Sequence, residues 1–315
     1  MAEYSNELIA VVGPTASGKT AVGVSVCKEF SGEVVSCDSM QIYRGMDIST
    51  AKPTAAEMQG VPHHLIDFVS PDEKFSVAQY CGLAKDTVAD IAKRGRLPVL
   101  VGGTGLYYSS LVDNISFTEG ETDFAYREFL KSRAESEGAQ ALLEELRLLD
   151  PRAAETLHVN NVGRIIRALE IYHSTGKTKT EQDLLSRSSP SPYKLTAVGL
   201  DAKNRDYLYD RINSRIDRML ESGLEEEARL FYERYPSGTA SQAIGCKELL
   251  PYFKGEASLD ECVEKLKMQT RRYAKRQLTW FRRDERIRFF FIDEYDSFDS
   301  LACAVNDYIR KEREK

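Results

Sequence analysis

The sequence predicts an α/β fold in which a parallel sheet, covered by helices, is interrupted by an all-helical insertion. Three observations predict this fold class. Strand and helix signals alternate from Leu8 to about Val112, as they do in βαβ units. From Asp123 to about Leu185 apolar residues recur at helical spacing without a strand signal. The segment "LTAVGLD" then returns to strand character, so we expect a core of residues 1–112 and 195–315 and an inserted module of residues 113–194.

The core supplies three predicted strands early in the chain and one late strand. Apolar runs predict strands over Leu8–Val12, Glu33–Cys37 and Pro98–Val101. Between them, "VAQYCGLAKDTVADIAKRGR" is an amphipathic helix whose basic residues lie near its C-terminus, the end that favours cations. After Arg205 the chain is mainly helical, and Phe289–Ile292 predicts the late strand.

A phosphate-binding loop follows the first strand. Gly13, four residues and then Gly18-Lys19-Thr20 form the pattern of a P-loop, in which backbone N–H groups face an anion at a helix N-terminus. The lysine of this pattern contacts the outer phosphates, and the threonine hydroxyl reaches a Mg²⁺ ion. The motif therefore predicts a P-loop NTPase-like sheet and a polyphosphate ligand, without specifying ATP.

The acid that commonly accompanies a P-loop is missing from its usual place. ATP-hydrolysing P-loop proteins carry a Mg²⁺-binding Asp at the end of a second strand, whereas the strand ending at Val101 runs into glycines and Thr104. Asp38, directly after another strand, is the candidate carboxylate. Gly13, Asp38 and Thr104 all follow strand ends, where ligands of parallel sheets bind, so we expect them to face one crevice. The alternative role for Asp38 is a turn cap.

Composition excludes several classes of protein. The chain has 315 residues, a net charge of −6 and six cysteines without a C-x-x-C pair. We therefore expect no disulfide framework and no zinc knuckle, and scattered thiols fit a reducing cytoplasm. The acidic start "MAEYSNE" is unlike a signal peptide, and no apolar run approaches the roughly 18 residues of a membrane span. A cytoplasmic monomer is the simplest expectation.

One segment near the C-terminus is strongly basic. "EKLKMQTRRYAKRQLTWFRRDERIR", from Glu264 to Arg288, carries ten basic and three acidic residues, with Tyr273, Trp280 and Phe281 interleaved. Basic side chains neutralise phosphates and aromatic rings stack on bases, which favours an anionic polymer as partner. The alternative is a solvated helix whose aromatic residues belong to the core.

Other charged residues are open to a functional or a structural interpretation. Arg211, Arg215 and Arg218 lie off the apolar stripe of their predicted helix, and any of the three could face the phosphate loop. His63 and His64 lack a cluster of further ligands and are interpreted as structural. One more pair is interpreted as solvated turn residues: Asp47 and Lys52.

Seven segments occur in a characteristic order: "GPTASGKT", "DSMQIYRGMDISTAKP", "PHHLID", "GGTGLY", "RALEIYHSTGK", "AIGCKE" and "AKRQLTWFRR". Together they resemble the bacterial tRNA dimethylallyltransferases, also called isopentenyl-tRNA transferases, over nearly the whole chain. Many families share the P-loop, but the second, fourth and seventh segments in combination are specific. Two positions depart from the family pattern, since Cys246 replaces an aromatic residue and Ser49 replaces a glycine.

The resemblance implies transfer of a dimethylallyl group from dimethylallyl diphosphate to N6 of adenosine 37, in tRNAs that read codons starting with U. The P-loop would hold the diphosphate with Mg²⁺ at Thr20, Asp38 would take the N6 proton, and Thr104 would orient the leaving group or the base. The implied catalytic residues are Asp38, Thr104, Lys19 and Arg215. The implied diphosphate site is Gly13, Pro14, Thr15, Ala16, Ser17, Gly18, Lys19, Thr20 and Arg215.

The resemblance also implies how tRNA is held. The inserted module would grip the anticodon stem-loop, and segments of the core would complete the contact with an extruded base. The implied tRNA-binding residues of the core are Asp38, Ser39, Met40, Gln41, Thr104, Gln242, Ala243, Ile244, Gly245, Cys246, Lys247, Lys275, Arg276, Gln277, Leu278, Thr279, Trp280, Phe281 and Arg282. Those of the module are Arg127, Gly163, Arg164, Ile165, Ile166 and Arg167.

Three alternative functions share some of these features. A small-molecule P-loop kinase could use Asp38 as the base for a hydroxyl acceptor, but it would not need the basic segment. An adenylate isopentenyltransferase acting on free AMP or ADP would share the P-loop and Asp38, without needing the helical module. A non-enzymatic RNA-binding protein could keep the binding motifs, although it would have no need of Lys19, Asp38 and Thr104 together.

Overall fold

The core of the protein is a parallel sheet, seen in a computed structural model that describes residues 6–117, 123–236, 238 and 240–315. Its strands are β1 (Glu7–Val12), β2 (Gly32–Cys37), β3 (His63–His64), β4 (Leu97–Gly102), β5 (Lys194–Asp201) and β6 (Ile287–Phe291). They lie in the order β3-β2-β4-β1-β5-β6, and every neighbouring pair is parallel. The predicted α/β class is confirmed.

Helices cover this sheet and form the insertion. Those before and within the insertion are α1 (Lys19–Phe30), α2 (Ala55–Met58), α3 (Val77–Lys93), α4 (Gly105–Val112), α5 (Phe124–Ser136), α6 (Ala139–Leu149), α7 (Pro151–Thr156), α8 (Val162–Thr175) and α9 (Lys179–Ser186). Those after it are α10 (Arg205–Glu221), α11 (Leu224–Arg234), α12 (Leu250–Phe253), α13 (Leu259–Phe281) and α14 (Phe298–Arg313). Within the described ranges, no helix is both long and apolar enough to cross a membrane.

The three early strands lie where the sequence predicts them, with one or two residues added to β1, β2 and β4. Their near-continuous apolar runs fit a parallel sheet with both faces covered, and five of the six residues of β1 are buried. The prediction for the late strand is wrong at its end, because Ile292 begins a short 3₁₀ turn instead. β3 has only two residues, too few for any periodicity in the sequence to predict it.

The strand register brings the carboxyl ends of three neighbouring strands together. Gly102 at the end of β4 pairs with Val12 of β1 on one side and with Cys37 of β2 on the other. A Cβ atom on Gly102 would lie 2.1 Å from the Cys37 carbonyl oxygen, so only glycine fits at this position. Consequently the residues that follow the three strands emerge side by side.

The chain divides into two compact units. One comprises Met1–Val112 and Pro192–Lys315, the other Asp113–Ser191. The second boundary differs from the expected residue 194 because β5 begins at Lys194, and the two residues that lead into this strand group with it in the same unit. We call these the α/β unit and the helical unit.

The helical unit has a hydrophobic core of its own, and no strand occurs in its described residues. Leu130, Leu142, Leu146 and Ile165 are almost completely buried together. The cores of the two units are separate clusters. A domain with its own core is able to keep its structure independently of its neighbour.

Candidate active site

The P-loop connects the end of β1 with the start of α1. Ala16 and Gly18 both adopt left-handed backbone conformations, with φ of 63° and 89°. The Ser17 N–H donates to the Pro14 carbonyl oxygen at 3.3 Å, which tightens the turn. Alternating handedness of this kind turns successive backbone N–H groups toward a common point, where they can bind an anion. Strand, loop and helix are therefore arranged as the sequence predicts.

Asp38 follows β2 and lines a cavity at the carboxyl edge of the sheet, together with Lys19 of the P-loop. One of its oxygens, Oδ1, accepts the Met40 N–H at 2.9 Å and so caps a turn. The two roles considered for Asp38 are therefore compatible. The cap fixes the side chain by one oxygen, while the carboxylate still faces the cavity.

Thr104 connects the ends of β2 and β4. Its backbone N–H donates to the Cys37 carbonyl oxygen at 3.0 Å, and its Oγ1 accepts the Ser39 N–H at 3.0 Å. These bonds hold the turn that contains Asp38 against β4. The expected convergence of the three strand ends is present in the fold, and Thr104 itself contributes to it.

The cavity has a volume of about 300 Å³ and two chemically different sides. Lys19, Thr20 and Arg215 form a cationic and polar side beside the P-loop. Ile212, Ile216, Met219 and Leu266, from α10 and α13, form an apolar side. This combination suits a ligand with an anionic end and a hydrocarbon end.

Two of the cationic side chains that line the cavity, Lys19 and Arg215, have no ion pair in the described part of the chain. Desolvation and the neighbouring charge of Arg215 lower the pKa of Lys19 to about 8, although Asp38 acts in the opposite direction. Desolvation also lowers the pKa of Arg215. Among the described residues, the Lys19 ammonium donates only to the Pro14 carbonyl oxygen, at 3.3 Å. Desolvated and incompletely neutralised, this pair would be strongly stabilised by a bound anion.

A larger cavity of about 850 Å³ lies on the other side of the same cations and shares Lys19, Thr20 and Arg215 with the first. Of the three arginines that sequence could not separate, only Arg215 lines both cavities. Arg211 instead donates through Nε to the Ala16 carbonyl oxygen at 2.9 Å, which braces the P-loop from outside.

The interpretation of Lys52 as a solvated turn residue is wrong. Its side chain is only 8% exposed, and its ammonium pairs with Asp47 at 2.6 Å and with Asp67. It also donates to the Tyr43 carbonyl oxygen at 3.0 Å. Lys52 therefore anchors the loop after β2, a role that depends on partners up to 15 residues away.

Glu227 of α11 is a second anchor of that loop and was not singled out in the sequence. Its carboxylate accepts the backbone N–H groups of Asp47, Ile48 and Ser49 at 2.9, 2.7 and 2.8 Å. Ser49 lines the smaller cavity, and Asp47 and Ile48 line the larger one. No local pattern could reveal Glu227, because its partners lie about 180 residues earlier in the chain.

Tyr273 is a cavity residue that the sequence placed only among the aromatic residues of the basic segment. It lines the smaller cavity, and its hydroxyl interacts with Thr104. Burial raises the pKa of Tyr273 well above its ordinary value, with Asp38 adding to the effect. The neutral phenol is therefore a permanent neighbour of Asp38 and Thr104.

Several residues expected to contact tRNA are instead buried in the α/β unit. Gln277 accepts the Thr15 N–H at 2.9 Å and donates to the Gly103 carbonyl oxygen at 2.8 Å, so it joins the P-loop to β4. Arg282 pairs with the buried Asp201. Other residues whose side chains are buried are Ala243, Cys246, Leu278 and Phe281. The exposed residues of these segments are Gln242, Lys247, Lys275, Arg276, Thr279, Trp280 and Arg282.

The helical unit shows the same division between buried and exposed positions. Ile165 and Ile166 belong to its core, so their side chains are unavailable to a tRNA. Arg127 donates to Glu170, a buried residue, through both Nε and Nη2, the latter at 2.7 Å. The exposed members of the predicted set are Gly163, Arg164 and Arg167.

The residues around Thr20 fit a Mg²⁺ ion that brings most of its ligands with it. In the described ranges no group of three or more His, Cys, Asp or Glu side chains could hold a metal. Mg²⁺ commonly keeps several waters and binds substrate phosphates, so it does not need such a group. Ser36 Oγ and His63 Nε2 are buried and have no hydrogen-bond partner among the described residues. Both residues line a small cavity together with Thr20.

The chain also matches known proteins. The model of the IPP transferase family matches residues 41–284. The chain belongs to the IPP transferase family. A tRNA dimethylallyltransferase of Halalkalibacterium halodurans is 49% identical over 304 residues, covering 96% of each chain. One of Caldanaerobacter subterraneus is 47% identical over 308 residues, covering 96% of this chain and 97% of the relative.

Solved structures of IPP transferase family members have the same fold. The full-length tRNA isopentenylpyrophosphate transferase from Bacillus halodurans is 46% identical, with a TM-score of 0.74 over 98% of this chain and 97% of that one. A eukaryotic dimethylallyltransferase acting on tRNA is 28% identical, with a TM-score of 0.82 over 98% of this chain and 80% of that one. The resemblance noted in the sequence is confirmed.

The two departures from the IPP transferase pattern lie next to each other. Ser49 and Cys246 are both buried, and both belong to segments that line the smaller cavity. Burial raises the pKa of the Cys246 thiol to about 12, so it remains neutral.

Proposed function

We propose that this protein transfers a dimethylallyl group from dimethylallyl diphosphate to N6 of adenosine 37 in tRNAs that read codons starting with U. The products are N6-isopentenyladenosine and diphosphate. Membership of a family whose members are tRNA dimethylallyltransferases supports the reaction class. The observation that carries the proposal is that Asp38 and Lys19 line one cavity.

The P-loop and Arg215 form the proposed diphosphate site. Loop amides, Lys19 and Arg215 supply positive charge where negative charge develops on the leaving oxygen, which stabilises the transition state. The apolar side of the cavity, with Ile212, Ile216 and Met219, accepts the five-carbon chain. This orientation places the reactive carbon between the cationic side and Asp38.

The transfer exchanges one bond for another. The C1–O bond to diphosphate breaks with its electron pair, a bond forms between N6 and C1, and the N6 proton passes to Asp38. The adenine amino group is a weak nucleophile because its lone pair is delocalised into the ring, so a base that removes the proton assists the attack. Since the Met40 N–H holds Asp38 Oδ1, the carboxylate is oriented before the base arrives.

Mg²⁺ is the proposed cofactor and Thr20 its proposed protein ligand. When bound, Mg²⁺ neutralises charge on the diphosphate. No water needs to be activated in this reaction, and this explains why β4 can end in glycine rather than in the acid of an ATP-hydrolysing P-loop protein.

The exposed cations of the basic segment and of the helical unit form the proposed tRNA contacts. Lys275 and Arg276 are exposed on α13, and Arg276 also lines the smaller cavity. Arg164 and Arg167 are exposed on α8. An adenine reaching the cavity must leave its stack, as target bases of modifying enzymes do. We place this reaction in the cytoplasm, with the protein as a monomer.

The test is an incubation with labelled dimethylallyl diphosphate, Mg²⁺ and two anticodon stem-loops that differ only in adenosine or guanosine at position 37. We expect label in the adenosine RNA alone. In a parallel incubation with AMP in place of the RNA, equal or faster transfer would identify an adenylate isopentenyltransferase instead. ATP-dependent phosphorylation of a small molecule, with no label in either RNA, would identify a kinase.

A further inference from the structure

A small cavity lies behind the P-loop and is distinct from the two larger ones in its size. Its volume is about 20 Å³, enough for about one water molecule. Thr20 of the P-loop, Asp38 and Ser36 of the β2 end, and His63 of β3 line it. Val34 and Val101 are among its apolar lining residues and Lys19 lines it too, so a few polar groups converge in a partly apolar cavity, at the position where the threonine of a P-loop meets its metal.

Two polar atoms of these residues have no partner in the described part of the chain. Ser36 Oγ and His63 Nε2 are both buried and form no hydrogen bond. An unsatisfied buried polar group costs about 1–3 kcal/mol, and native proteins rarely leave one. Two of them on residues that line a water-sized cavity indicate that a water molecule, free or bound to an ion, is held there.

The hydrogen bonds of His63 define what its Nε2 can do. Nδ1 lies 2.9 Å from the Val61 carbonyl oxygen, which can only accept, so Nδ1 carries the hydrogen. Nε2 is then a bare acceptor. Burial lowers the pKa of His63, which keeps the ring neutral at pH 7. The cavity therefore presents an imidazole acceptor and a hydroxyl to a donor that enters it.

Waters bound to Mg²⁺ are such donors. The ion polarises the water ligands that it retains, and outer-sphere acceptors orient them. In P-loop hydrolases a strand-end Asp helps to hold the metal, whereas here β4 ends in Gly102. We propose that His63 and Ser36 accept hydrogen bonds from water ligands of the Mg²⁺ that Thr20 binds, and so take over the role of the missing acid.

This inference rests on the proposed use of a Mg²⁺–diphosphate complex, but not on prenyl transfer itself. It assigns His63 a function that its neighbour lacks. His64 faces the other way, as alternate strand residues do, and its Nε2 contacts Glu33 Oε2 at 2.7 Å. His64 is therefore the matched control for His63.

The experiment measures the affinity of inorganic pyrophosphate by calorimetry, once with excess MgCl₂ and once with EDTA. The ratio of the two affinities is the contribution of the metal. We expect His63→Leu to reduce this ratio by about 10- to 100-fold, the usual effect of losing an outer-sphere partner, while the affinity in EDTA stays unchanged. His63→Gln, which restores an acceptor oxygen, should recover part of the ratio, and His64→Gln should leave it unchanged.

If His63→Leu fails to fold, Ser36→Ala is the second variant, because it removes only a hydroxyl. We expect it to reduce the affinity ratio by a smaller factor. An unchanged ratio in a folded His63→Leu protein would overturn the inference. So would an equal loss of affinity with and without the metal, since His63 would then support only the P-loop. Because no prenyl group is involved, a failure here is separate from a failure of the proposed transfer reaction.

Discussion

The helical unit and the α/β unit each contain an arginine next to a buried charged group, but only the arginine of the helical unit is neutralised by a carboxylate. Arg127 of the helical unit donates twice to the buried carboxylate of Glu170. Arg215 of the α/β unit lies beside Lys19 and forms no ion pair with any described residue. Loss of one partner of a neutralised buried pair destabilises its unit, whereas a charge that is not neutralised is available to a ligand.

The largest test of this comparison concerns Asp38, the carboxylate that shares the cavity with the two cations. We expect Asp38→Ala to leave tRNA binding nearly intact but to lower turnover by about 10²- to 10⁴-fold, because the proton acceptor is lost. Gel-shift and single-turnover assays measure the two quantities. Asp38→Asn is the sharper variant, since its amide oxygen can still accept the Met40 N–H. Turnover at the parent rate in either variant would exclude Asp38 as the base.

The two arginines themselves give the next largest effects, in different assays. Arg215→Ala should lower kcat/KM for dimethylallyl diphosphate by about 10²-fold, with no loss of thermal stability, because it removes a repulsion from Lys19. Arg127→Ala should lower the free energy of unfolding by about 1–3 kcal/mol, because the buried Glu170 carboxylate loses both hydrogen bonds from Arg127 and keeps only the longer contact with Arg167, at 3.5 Å.

Thermal melts and steady-state kinetics on both variants complete this test. Arg127→Leu combined with Glu170→Leu should recover stability, since no unpaired charge remains. The distinction between the two arginines fails if Arg215→Ala is the less stable protein and Arg127→Ala keeps its full stability.

The pH dependence of ligand binding sharpens the comparison at Lys19. Its pKa of about 8 means that the ammonium is charged below pH 8 and loses its proton above it. Pyrophosphate binds the charged form, so we expect constant affinity below about pH 8 and a fall of about tenfold per pH unit above it. Lys19→Arg should move this loss to much higher pH, because arginine stays protonated. Identical profiles for the two proteins, measured by calorimetry, would contradict the assignment.

The smallest effects concern two neighbours on α13 that the sequence did not separate. Gln277→Leu should lower stability by about 1–3 kcal/mol, because it leaves the Thr15 N–H and the Gly103 carbonyl oxygen without their partner. Lys275→Ala should leave stability unchanged but weaken tRNA binding. It should also reduce the slope of log K for tRNA binding against log salt concentration by about one. The reverse pattern, in melts and in binding at several salt concentrations, would show that Gln277 is the tRNA contact.

Sequence reasoning predicted the positions of residues in the fold where the pattern lies in consecutive residues. The P-loop lies within eight residues, and Asp38 and Thr104 each follow a predictable strand. The convergence of the strand ends follows from parallel topology alone. Assigning every residue of a matching segment to the tRNA contact failed inside helices. Segment 163–167, for example, contains both exposed arginines and buried isoleucines.

The residues that sequence reasoning missed have distant partners. Glu227 binds a loop about 180 residues away, and Gln277 binds the P-loop 262 residues away. Lys52 looked like a solvated residue because its two carboxylate partners are visible only after the loop has folded. Local patterns report hydrophobic periodicity and turn chemistry, and neither contains information about such contacts.

The sequence by itself determined the α/β class, the phosphate-binding loop, the candidate base and the family, because each is expressed in short or periodic patterns. Only the tertiary structure decided which charges are neutralised and which remain for a ligand. Arg127 and Arg215 are chemically identical, and the difference between them is the presence of Glu170 beside one and of Lys19 beside the other. Neutralisation depends on distances in space, which the fold alone establishes.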